Sequence, residues 1–147
     1  MCGFAGFSTK ENLNEKINIL KNMNDKLSHR GPDGEGFYHH DDVSLSHKRL
    51  AIIDLNSRSD QPFQDINKNY SITFNGEIYN YLEIKDLLIQ AGYKFHTTGD
   101  TEVLLYAYIK WGVKVLDKIK GMFSFAIHDK KNKKIFCARD HFGQKPF

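Results

Sequence analysis

Apolar residues recur at two periods in this chain, and the two are interleaved from end to end. Residues 11–27 carry Leu13, Ile17, Leu20, Met23 and Leu27 at helical spacing, with Ser8 and Glu11 or Asn12 and Glu15 as a capping box. A second helical stripe, Ile84, Leu87, Leu88 and Ala91, follows the capping pair Asn80 and Glu83 and stops at Gly92. A third opens at Asp100 or Thr101 and runs to Trp111 through Val103, Leu104, Ala107 and Tyr108. Strand-like runs fill the space between them, at residues 1–7, 37–40, 43–47, 49–54, 70–74 and 93–96. Residues 121–129 and 134–140 read as a hairpin around a Lys-Lys-Asn-Lys tip. Residues 28–36 and 56–64 read as loops, and Asn75-Gly76 as a turn. No repeat or linker separates these signals. One α+β or α/β domain is expected, its sheets burying the helical stripes.

Composition excludes several classes. Hydrophobic residues are 40% and charged residues 27%, and 11 Phe with 7 Tyr suffice for a core, so disorder is not expected. Lys plus Arg is 21 against 18 Asp plus Glu, a balance of +3 that argues for neither nucleic acid nor a membrane surface. No apolar run approaches the roughly 20 residues of a membrane span. The first residues lack a basic stretch followed by an apolar one, so no secretory signal is expected. Cys2 and Cys137 stand far apart in unrelated sequence, which is neither a disulfide framework nor a zinc spacing. A reducing, cytoplasmic setting follows.

A few residues could carry chemistry. If the initiator Met is removed before the small residue Cys2, one residue holds both a thiol and a free α-amine. An amine titrating near ~8 is a suitable base for an adjacent nucleophile. Cys2 could equally be a small apolar residue opening a strand. Arg49, inside a β-branched run, needs a partner: an internal ion pair, or a carboxylate ligand held bidentately. Asn75-Gly76 could be a plain turn, or could offer a side-chain amide and a backbone N–H to an oxyanion. Asp100 is most simply an N-cap, and could instead meet an ammonium. His29-Arg30-Gly31-Pro32-Asp33 reads as a structural turn with an Arg–Asp pair. The histidines show no metal spacing, and no Gly-rich phosphate loop is present.

Taken together these features are specific. Met1-Cys2-Gly3-Phe4-Ala5-Gly6-Phe7, His29-Arg30-Gly31-Pro32-Asp33-Gly34, His47-Lys48-Arg49-Leu50-Ala51-Ile52-Ile53-Asp54, Phe74-Asn75-Gly76-Glu77-Ile78-Tyr79-Asn80, Thr98-Gly99-Asp100-Thr101-Glu102-Val103 and Arg139-Asp140-His141-Phe142-Gly143-Gln144-Lys145-Pro146 occur in that order. The chain resembles the N-terminal glutaminase domain of class II glutamine amidotransferases, most closely the asparagine synthetase (glutamine-hydrolysing) branch. The resemblance implies an α+β, four-layer αββα N-terminal-nucleophile hydrolase fold over residues 1–147. It makes Cys2 the nucleophile, and Asn75 with Gly76 the oxyanion hole. Arg49 becomes the partner of the glutamine α-carboxylate, and Glu77 and Asp100 receive the α-ammonium. Leu50, Ala51, Ile52 and Ile53 help line the pocket.

The implied partners are L-glutamine and a synthetase domain, in the same protein or a separate subunit. A homodimer is compatible with the resemblance. The glutaminase step needs no cofactor or metal, and ATP and magnesium belong to the synthetase module. That module and its Ser-Gly-Gly-x-Asp-Ser loop do not occur here, and in the family the fold continues past Lys145-Pro146. The chain is therefore expected to be incomplete at its C-terminus. The alternatives are the glutaminase half of a sugar or purine-precursor amidotransferase, and a non-catalytic docking fragment, which would follow if Met1 is retained.

Overall fold

The computed structural model describes residues 2–147. Met1, where the first expected strand and the proteolytic step begin, lies outside the described residues. The elements in order are β1 (Gly3–Ser8), α1 (Leu13–Lys26), β2 (Gly34–His40), β3 (Val43–Arg49), β4 (Phe63–Gln64), β5 (Tyr70–Ile78), α2 (Tyr81–Gln90), α3 (Asp100–Trp111), β6 (Gly121–Asp129) and β7 (Lys134–Arg139). Short 3-10 turns lie at Ser57–Ser59 and Gly112–Asp117. Two antiparallel sheets form, ordered β1-β3-β2 and β4-β5-β6-β7. The first is covered by α1, the second by α3 with α2 beside it, and β1 and β3 pack on β5. The layers run αββα.

The main core lies between the second sheet and α2–α3. Ile72, Phe74, Ile78, Phe123, Phe125 and Ile127 point outward from the sheet against Ile84, Leu88, Val103, Leu104 and Leu105. The alternation of β5 and β6 leaves the other face to Ser71, Thr73, Asn75 and Ser124, all buried. The layer between the sheets therefore sets these polar groups against the small apolar cluster of Tyr38, Val43 and Leu45, and polar bonds cross it. Thr73 Oγ1 donates to the Ser46 carbonyl at 3.4 Å, and the His47 ring N–H donates to the Phe74 carbonyl at 3.1 Å. At the far end Tyr38 Oη and His128 Nδ1 meet at 2.8 Å.

Several expectations need correction. Asn75-Gly76 is not a turn: β5 runs straight through it, with Asn75 opposite Ser124 and Gly76 opposite Phe123. Glycine is needed there for close approach, since a Cβ would stand 2.2 Å from the Met122 carbonyl oxygen. The loop expected at 28–36 ends early, because β2 already pairs at Gly34. The strand expected at 49–54 ends at Arg49, and the chain leaves the sheet to bend over Cys2. Residues 93–96 form no strand: the buried Glu102 carboxylate takes the backbone N–H groups of His96 and Thr97 instead.

Asn12 does cap α1, accepting from the Glu15 N–H at 3.1 Å. Asn80 heads α2, its carbonyl accepting the Ile84 N–H, but its side chain bonds the Lys118 carbonyl and the Lys120 N–H rather than capping the helix. The expected apolar face of α1 is mostly turned outward, with Leu13, Ile17 and Met23 exposed. The buried residues are Lys16, Leu20 and Asn24. On its outer face the first sheet mixes Ser44, Ser46 and Lys48 with Ala5, Phe7 and Phe37, and the buried polar groups of α1 find partners at the sheet: Lys16 Nζ donates to the Asp41 carbonyl and Asn24 Nδ2 to Glu35.

Candidate active site

One pocket of about 160 Å³ opens where β3, β5 and the start of α3 converge. That is the scale of a cavity that holds a small organic molecule, about 150 Å³ for benzene. Cys2, Arg49, Asn75, Gly76, Glu77 and Asp100 all line it, as do Leu50, Ile52 and Ile53. Of the expected site residues Ala51 alone is not in the wall. Its N–H donates outward to Asp33 Oδ2 at 2.9 Å, which anchors the bend after β3.

Cys2 is partly buried at the start of β1. Its Sγ lies 3.3 Å from the Leu50 N–H, which donates to it, and 3.5 Å from the Leu50 carbonyl oxygen. Arg30 holds the same residue from the other side, with Nε donating to the Cys2 carbonyl at 3.0 Å. The Arg30–Asp33 pair expected from the sequence does not form among the described residues, because the two side chains diverge to Cys2 and Ala51. Arg30 was thus legible only as a turn residue. The clue was its place beside a Gly-Pro bend, which aims an arginine at a neighbouring strand.

The Asn75–Gly76 edge follows from strand geometry. In an antiparallel strand the N–H and C=O of one residue point to the same side. Tyr79 bonds the Lys120 carbonyl on the β6 side, whereas Tyr70, Phe74 and Ile78 bond groups on the opposite edge. Gly76 shares the parity of that second set. Its N–H therefore faces the open edge, in the pocket wall, beside the Asn75 side chain.

The charged residues are placed less simply. Arg49 Nη1 donates to Asp60 Oδ1 at 2.6 Å and to the Asn56 carbonyl at 3.0 Å, while Nη2 donates to the Asp54 carbonyl. The internal pairing is thus real, and the same side chain also walls the pocket. Asp100 opens α3 and is only 6% exposed. Its Oδ2 accepts the Ile78 N–H at 2.9 Å. It begins the helix after Gly99 rather than capping it. Burial pushes its carboxyl up to about 6, against the lowering effect of the Ile78 and helix N–H groups, and the nearby Glu77 adds to the rise. A cation entering the pocket would relieve this. Asp54 is held well below the usual carboxylate range by the Thr98 N–H, and so ties the loop after β3 to the approach to α3. No group of three or more His, Cys, Asp or Glu among the described residues could hold a metal ion.

A four-layer αββα sandwich with a cysteine at the start of its first strand, lining a pocket between the sheets, is the N-terminal-nucleophile hydrolase architecture. A glutamine phosphoribosylpyrophosphate amidotransferase from B. subtilis superposes with a TM-score of 0.79 at 21% identity, covering 99% of this chain and 38% of that one. The glutamine amidotransferase domain family matches residues 1–147. Asparagine synthetase (glutamine-hydrolyzing) 1 of Bacillus subtilis is 42% identical over 149 residues, 99% of this chain. A putative asparagine synthetase (glutamine-hydrolyzing) of Mycobacterium tuberculosis is 45% identical over 130 residues, 82% of this chain. The chain belongs to the glutamine amidotransferase domain family. It spans 23% and 20% of the lengths of those two relatives. No helix among the described residues is long and apolar enough to cross a membrane.

Proposed function

We propose that this chain hydrolyses the side-chain amide of L-glutamine through a Cys2 thioester and supplies the ammonia to a synthetase domain. The observation that carries this is the convergence on one pocket of a sulfur, an open strand edge and groups of both charges. Free glutamine is a zwitterion whose reactive amide lies at the far end of a short chain. It needs an anion for its ammonium and a cation for its carboxylate. It also needs a nucleophile and oxyanion donors at the amide.

The steps balance with protein groups and water. Once Met1 is removed, the α-amine of Cys2 takes the thiol proton, and sulfur attacks the amide carbon. The carbonyl oxygen becomes an oxyanion facing the Asn75 side-chain amide and the Gly76 N–H. The amine returns its proton to the leaving nitrogen, the C–N bond breaks, and ammonia departs. Water then attacks the thioester, releasing glutamate and the thiol. Asp100 and Glu77 hold the ammonium of the substrate and Arg49 its carboxylate. Arg30 and the Leu50 N–H fix Cys2 between them. ATP and magnesium serve acceptor activation in a synthetase domain, and the names of the relatives favour aspartate as the acceptor.

The test is glutamate and ammonia release from glutamine, with the intact mass read in parallel. Equimolar products, a mass lacking Met1, and loss of turnover in Cys2→Ala with retained glutamine binding are expected. Turnover that survives in Cys2→Ala, or an active preparation that retains Met1, overturns the mechanism.

A further inference from the structure

We propose that His47 and Gln61 are positioning residues for the oxyanion-binding edge: between them they hold both backbone polar groups of Phe74, and so set where Asn75 and Gly76 present their donors. The inference rests on the glutaminase reading and goes beyond it.

Its basis is the shape of the second sheet. β4 has two residues, which pair with Ser71 and Ile72. Past Ile72, β5 has no strand neighbour on that side among the described residues, yet this stretch carries the pocket wall. A bare edge of this kind would be free to bend or take up water. Side chains stand in for the missing strand. Gln61 Oε1 accepts the Phe74 N–H at 2.6 Å, and the His47 ring N–H donates to the Phe74 carbonyl at 3.1 Å. Four residues on, Asp100 takes the Ile78 N–H. Gly76 lies between these clamped points, its N–H left for the pocket.

Both clamps are themselves immobilised. His47 has no exposed surface and sits in β3, the central strand of the first sheet. Because Nε2 donates to a carbonyl, Nδ1 carries the lone pair, and it is buried without a partner among the described residues. The ring is committed to one tautomer and one bond. Gln61 uses its other amide atom on α3, with Nε2 donating to Thr101 Oγ1 at 3.3 Å. Its backbone carbonyl packs against Gly36, where a Cβ would stand 2.1 Å from that oxygen. His47 also precedes Arg49 by two residues on the same strand face. One strand thus ties the oxyanion edge to the group proposed for the amino-acid end.

A purely structural role predicts lower stability with unchanged chemistry per folded molecule. A positioning role predicts slower chemistry with binding retained. The experiment uses the protein as its gene encodes it, with variants His47→Met, His47→Gln and Gln61→Met. Glutamate release gives kcat and KM, and a diazoketone analogue of glutamine titrates reactive Cys2, so that kcat is expressed per competent site. We expect His47→Met and Gln61→Met to lower that kcat about ten- to a hundredfold, with KM within about threefold, because a small misplacement of donors is costly in the transition state. His47→Gln, which restores an N–H donor, recovers most of the loss. An unchanged kcat per titrated site, or a loss confined to KM, overturns the inference. If His47→Met fails to fold, Gln61→Met and His47→Gln decide by the same criteria. If the unaltered protein releases no glutamate, the glutaminase reading fails and takes this inference with it; if it turns over and the variants match it, only the inference fails.

Discussion

Arg49 joins Asp60 and the carbonyls of Asn56 and Asp54 while walling the pocket, so a change there acts on loop and ligand together. Arg49→Lys should lower the melting temperature, because a lysine point charge cannot satisfy three acceptors in one plane. It should also raise KM for glutamine about ten- to a hundredfold through the lost charge-assisted pair. Melting and kinetics on the same variant check both, and a KM that does not move removes Arg49 from the carboxylate site. Asp100 has the opposite stability sign. Its folded carboxyl titrates near about 6, above the ordinary 3.8, so protonation favours the fold. That contribution is complete below the ordinary value and is lost as pH rises through about 6. Asp100→Asn, whose Oδ1 can still accept the Ile78 N–H, should therefore melt higher than the unaltered protein at pH ~8 and level with it near pH ~4. KM should rise at pH ~8, because the ammonium partner is gone.

At the scale of elements, β5 is where local pattern and observed structure part most clearly. Asn-Gly after an alternating run signals a turn, but here the pair sits in mid-strand, with β6 close enough that only glycine fits. Gly76→Ala must push β5 away from β6, and we expect about 1–3 kcal/mol of destabilisation, read from urea midpoints, with activity lost. Asn75→Ala meets no such obstacle. Its circular dichroism should match the unaltered protein while kcat falls roughly 10²–10³-fold and KM changes little, since one oxyanion donor is removed. Equal damage to kcat and KM would reassign Asn75 to ground-state binding. The apolar stripe of α1 was legible as a helix but not as a direction. Its period established the helix, and the acceptors at Asp41 and Glu35 decided that Lys16 and Asn24 turn inward.

For the whole molecule, acid sensitivity should arise between the sheets. Burial, helped by the Arg49 charge and opposed by the Phe74 bond and Asp60, brings His47 down to about 4. Its contribution is present above the ordinary value of 6.5 and is lost as pH falls through about 4. Between those values the slope approaches about 1.4 kcal/mol per pH unit. Urea midpoints at pH ~7 and ~4.5 should converge for His47→Gln relative to the unaltered protein, which isolates this term from the opposite trend of Asp100.

The order of helices and strands, the cysteine near the start of the chain and the motifs around Arg49, Asn75 and Asp100 were all legible along the chain. They rest on short-range periodicity and on residue chemistry that survives without a fold. The convergence of those motifs, the clamps on the Phe74 backbone, the Arg30 grip on Cys2 and the division of Arg49 between loop and pocket were not. Each depends on contacts between residues far apart in sequence. No local preference specifies which buried polar group will find which partner; the packing of the two sheets does.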